Sequence, residues 1–119
     1  MSLAREMQSQ LPAQAVLGIQ GTNAAVAGAG TTQATATALS AQYNRITSGS
    51  ALSGVILPAS MGIGDEIEVV NATTSNICVY PPSGGKLNAN SANVPMVMAP
   101  LRCHTFFCAD GTSWDTDCI

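Results

Sequence analysis

Four cysteines and one histidine supply the soft donors of this chain: Cys78, Cys103, His104, Cys108 and Cys118. Thiolates and imidazole hold structural zinc, but they do so in paired knuckles whose two ligands stand close enough to reach one ion. Here C-x4-C is followed by C-x9-C, and no C-x2-C pair occurs, so no metal site is expected. Two disulfides are the other use of four cysteines. Nothing in the sequence points to an oxidising compartment, however, and Cys is often buried as a thiol. Reduced cysteines are expected, with Cys103 and Cys108 the nearest pair if one forms. Cys103 beside His104 offers a nucleophile and a base, yet strand neighbours point to opposite faces and leave that dyad geometrically poor.

The carboxylates are placed for turns. Asp65, Glu66 and Glu68 stand at a strand entrance, and Asp110, Asp115 and Asp117 flank a hairpin; neither group has the spacing of a calcium loop. Gly28-Ala29-Gly30 leads into TTQATATA, which suits a strand and not the helix that a phosphate loop needs. Trp114 with Tyr80 could stack on a sugar ring, though an aromatic pair of this kind more often packs a hairpin. No catalytic residue, metal ligand or cofactor is therefore expected.

Composition narrows the class further. Charged residues make up 9% of the 119, against about 25% in an average soluble domain. The net charge is −3, with no basic cluster, so neither nucleic acid nor an anionic membrane is an evident partner. No stretch has the apolar length of a signal peptide core or a membrane span. A surface so poor in charge suits coverage by protein, including further copies of the same chain.

The elements that would position these residues divide the chain at residue 31. In residues 1–31, Leu3, Met7 and Leu11 recur at helical spacing up to Pro12, and an uncharged Ala/Gly/Thr stretch follows Gly18; this reads as a short helix and an extended arm. Leu3, Met7, Leu11 and Leu17 are its expected partner contacts. Residues 32–119 carry short apolar runs at 55–57, 67–70, 77–80, 94–98 and 105–108, each bounded by Gly, Pro, Asn, Asp or Ser. The alternation in 35–39 and the run 43–47 could supply a first strand. Ile67 and Val69 share one face and Glu66 and Glu68 the other, while Ala109-Asp110-Gly111-Thr112 marks a tight hairpin. The expected fold is all-β: a small antiparallel β-sandwich or barrel, jelly-roll-like, preceded by the arm.

The order GDEIEVVN, VYPPSGGKLN, an apolar strand and FFCADGTSW resembles a recurrent module in small structural proteins of tailed bacteriophages. The resemblance covers roughly residues 52–114. It implies strand-core and turn roles for Asn71, Tyr80, Pro81, Gly84, Phe107, Asp110, Gly111 and Trp114, and no catalytic role for any of them. It also implies a virion protein assembled in the host cytoplasm, expected to be a decoration or cement subunit that bridges major capsid subunits. A homotrimer is the expected self-assembly. The alternative function is a receptor- or carbohydrate-binding module of a tail or head fibre, which should show clustered exposed aromatics.

Overall fold

The computed structural model describes residues 21–59, 61–110 and 112–116. Its strands alternate between two sheets. β1 (Thr22–Ala27), β3 (Tyr43–Ser48) and β5 (Glu66–Asn71) lie side by side in the first sheet, all parallel. β2 (Thr37–Ala38), β4 (Ser53–Ile56) and β6 (Ile77–Tyr80) do the same in the second. Each coil thus lays one strand in each sheet and returns directly above the coil before it, pairing Thr22 with Tyr43 and Tyr43 with Glu68.

This is solenoid-like stacking, and it corrects the expected antiparallel sandwich, barrel or jelly roll. The all-β class stands. Alternating apolar residues reveal which face of a strand is buried, but that pattern is the same whether the neighbouring strand runs parallel or antiparallel.

Antiparallel strands end the stack. β9 (Arg102–Cys108) pairs antiparallel with β5, and β10 (Ser113–Thr116) pairs antiparallel with β9. This hairpin stands between β5 and the short β7 (Lys86–Leu87), giving the order β1-β3-β5-β9-β10-β7. In the second sheet, β8 (Met96–Met98) closes antiparallel on β6. The core lies between the sheets: Ile46, Ile67, Val69, Phe106 and Trp114 of the first meet Val55, Ile77, Val79 and Met98 of the second. Ile67 and Val69 are inward as the alternation predicts.

All four residues of β6 are buried, because the segment after β1 crosses the outer face of the second sheet. Ala29 and Gly54 exchange both backbone bonds at 3.0 Å, the Tyr80 hydroxyl donates to the Thr31 carbonyl at 3.0 Å, and Gln33 Nε2 donates to the Pro81 carbonyl at 2.9 Å. Gly54 is required beneath this cover, since a Cβ there would come within 2.8 Å of the Tyr80 ring and 3.2 Å of Ala36. The boundary at residue 31 consequently moves. β1 belongs to the first sheet with Val26 buried, so residues 22–31 are part of the β-fold and not of a separate arm. The expected helix, with Leu3, Met7, Leu11 and Leu17, lies outside the described residues.

Candidate interaction surface

Three loops meet where β3, β5 and β8 end: residues 49–52, 72–76 and 99–101. One side chain ties the second loop to the third, and a backbone bond from Leu52 to Asn76 joins the first to the second. Asn71 is fully buried; its Nδ2 donates to the carbonyls of Ser75 (2.9 Å), Met98 (3.1 Å) and Ala99 (3.2 Å). Its Oδ1 accepts from the Thr73 N–H at 3.0 Å and the Thr73 hydroxyl at 2.7 Å. Asparagine is the residue whose amide offers donors and acceptor together at this reach.

The flanking loops are fixed to the same corner, Leu52 N–H donating to the Asn76 carbonyl and Leu101 N–H to the Asn71 carbonyl. Both leucines hold left-handed backbone, at φ 61° and 62°, and their side chains are 46% and 78% exposed. That conformation costs a branched residue of order 1–2 kcal/mol, and an exposed leucine recovers little of it by burial. The corner therefore presents two strained apolar knobs on a firmly bonded base. Of the three loops and the residues bounding them, Arg102 alone is charged. Arg45, opposite Val70 in register, stands close by on the outer face of the first sheet.

The other end of the first sheet's strands is acidic. Glu66 faces Phe107 across β5 and β9, and Phe107 faces Asp115 across β9 and β10. Asp65 precedes β5 and Asp110 follows β9, so four carboxylates gather there, with Lys86 opposite Ser113 on β7. Phe107 is 42% exposed and Ile63, in the loop before β5, is 77% exposed. The expected core role of Phe107 is thus corrected: Phe106 enters the core and its neighbour faces solvent, because consecutive strand residues point oppositely.

The remaining module residues serve the fold. Tyr80 and Pro81 are buried under the crossing segment, and Gly84 takes φ 81° while its N–H donates to Asn93 Oδ1 at 2.7 Å. Asp110 accepts from the N–H groups of Thr112 (3.1 Å) and Ser113 (2.8 Å), which hold its carboxyl below the usual carboxylate range and close the predicted hairpin turn. Gly111 lies outside the described residues. Trp114 is buried in the first sheet and Tyr80 in the second, so they form no exposed aromatic pair. The two apolar knobs were not legible in the sequence; a leucine in a polar loop, next to Ser or Pro, was the available signal.

The soft donors do not converge. Among the described residues, no three of His, Cys, Asp and Glu stand close enough to hold a metal ion. Cys78 is in the second sheet; Cys103 and Cys108, in β9, face outward and inward respectively. Five strand steps, roughly 16 Å, and opposite faces keep Cys103 and Cys108 from pairing with each other. Cys103 Sγ instead contacts Glu68 Oε2 at 3.7 Å. Cys118 lies outside the described residues. Also among the described residues, no helix is long and apolar enough to cross a membrane.

Burial pushes the Cys78 thiol up, and burial followed by the neighbouring Cys78 pushes the Tyr80 phenol up. Both groups are neutral when protonated, so the folded state prefers the proton more than the unfolded chain does. Their contribution is complete below the unfolded thiol value near 8.5 and is lost as pH rises through the raised folded values. Thermal melts should accordingly show Tm steady up to about pH 8.5 and falling above it, and Cys78→Ala combined with Tyr80→Phe should flatten the fall. An unchanged slope in that double variant would remove these groups as the cause.

The sequence matches no protein-family model, and no curated protein matches it.

Proposed function

We propose that this chain is a structural protein of a tailed-phage virion, a decoration or cement subunit that stabilises the head by bridging major capsid subunits. The observation that carries this reading is the division of labour within the phage-like module. Its Asn71, Tyr80, Pro81 and Trp114 are consumed by the fold, while Leu52, Leu101, Ile63 and Phe107 stand exposed at the two ends of the first sheet, and Val94 and Val97 stand exposed before and on β8 of the second. Adhesion needs only such surfaces. A subunit that spans neighbours adds interface that must break before the shell opens, and a stable contact of this kind buries roughly 1,200–2,000 Å². A carbohydrate-binding module draws less support, because Tyr80 and Trp114 are both buried and Phe107 stands alone as a well-exposed ring among the described residues.

In this reading residues 1–20 reach the capsid, and the β-fold forms the outer body of a homotrimer. Removing residues 1–20 should leave Tm near that of the full chain and abolish attachment to capsids that lack the subunit. Removing residues 1–31 should also strip β1, the Ala29 pairing with Gly54 and the Thr31 carbonyl that holds Tyr80, lowering Tm by about 10 °C or more. Full occupancy on capsids by the shorter deletion, measured by gel densitometry of purified particles, would place the adhesive surface elsewhere and sink the docking role of residues 1–20.

A further inference from the structure

We infer that copies of this chain bind one another head to tail: the corner bearing Leu52, Leu101 and Arg102 docks on the acidic end bearing Ile63, Phe107 and Glu66 of the next copy. The inference deepens the homotrimer reading by naming its contact. It starts from charge. The chain is net −3, so two copies meeting through arbitrary faces repel. The carboxylates at one end of the first sheet are separated from the carboxylate-free corner by the length of β5, about 17 Å. Arg45 and Arg102 lie at or near that corner. Joining corner to corner would set Arg102 against its own copy, and joining acidic end to acidic end would oppose four carboxylates. Corner to acidic end is the one pairing of these two surfaces in which the charges attract.

The apolar residues match in the same sense. Leu52 and Leu101 project from one end, and Ile63 and Phe107 from the other. The left-handed backbone at both leucines is strain without a folding purpose, since Gly or Asn would hold φ near +60° more easily. Strain kept at exposed apolar positions, on a base as tightly bonded as the Asn71 corner, fits knobs presented to a partner. A head-to-tail contact is heterologous, so it closes only as a ring, and three copies suffice for one.

The test uses the full chain in sedimentation velocity at micromolar concentration. Wild type should be a closed oligomer. Leu52→Asn with Leu101→Asn should sediment as a monomer that keeps the wild-type circular dichroism spectrum and a cooperative melt, because Asn tolerates the left-handed backbone, and its Tm should no longer depend on protein concentration. That combination separates loss of contact from loss of fold. Arg102→Glu and Glu66→Arg should each weaken assembly at least about tenfold. The deciding experiment mixes a corner variant (L52N/L101N/R102E) with an acidic-end variant (I63N/E66R). Each retains the surface the other lacks, so the mixture should form a one-to-one dimer and no ring. A monomeric wild type, a mixture that stays monomeric, or assembly untouched by both variants would overturn the contact. None of these outcomes bears on capsid attachment, which the residue 1–20 deletion reads separately.

Discussion

Replacing Asn71 with alanine should cost about 3–5 kcal/mol and lower Tm by roughly 10–20 °C. The side chain removed makes contacts with Ser75, Met98, Ala99 and Thr73, and the position is fully buried. Its loss leaves the carbonyls of Met98 and Ala99 and the Thr73 N–H without that partner where water does not easily replace it. Each buried polar group so abandoned costs roughly 1–3 kcal/mol, of which local relaxation recovers part. Asn71→Asp should be at least as harmful, because it keeps the acceptor for Thr73 but turns a negative oxygen toward three carbonyls. Thr73→Val, which keeps the N–H bond and loses the hydroxyl, should cost only about 1–2 kcal/mol. Chemical denaturation of the three variants gives the order directly. An Asn71→Ala protein within about 1 kcal/mol of wild type would show that the corner is not held by this amide.

Trp114→Ala should remove a comparable amount, about 3–5 kcal/mol, through the cavity left between β10 and the core. The same residue supplies an internal control. Its Nε1 is buried and has no hydrogen-bond partner in the structure, so the ring contributes as an apolar body. Trp114→Phe then loses volume but no hydrogen bond, and it should cost less than about 1.5 kcal/mol. A Phe variant as unstable as the Ala variant would mean that the indole N–H, and not the packing, is what the fold requires. Because β10 also pairs with β7, the alanine variant should loosen Lys86 and Leu87 as well, seen as faster amide exchange in both strands.

Much of the local structure was legible because it depends on neighbours in sequence. The alternation of Glu66, Ile67, Glu68 and Val69 fixed which side of β5 is wet, and Asp110 followed by Gly111 marked the turn between β9 and β10. All-β character followed from short apolar runs separated by breakers. The Ala/Gly/Thr stretch misled, since β1 carries small residues, with Val26 alone buried, and it becomes a strand through pairing with β3. Its composition looks like that of a linker until a partner strand is present.

What only the tertiary structure decided were the quantities that one strand cannot encode. Strand direction is one: periodicity of two gives a buried face but not the sense of the neighbour, so coils that stack in parallel read like hairpins. The choice between Phe106 and Phe107 is another, set by the register of β9 against β5. Most of all, the sequence placed Leu52, Asn71 and Leu101 far apart, in segments with no visible relation. Stacking of the coils brings their loops to one corner, where a single amide can bond several carbonyls. By itself the sequence determined the strand content, the scarcity of charge and the spacing of the cysteines. Their separation to different faces and sheets, and the division of charge between the two ends of the first sheet, came from the way the coils close on one another.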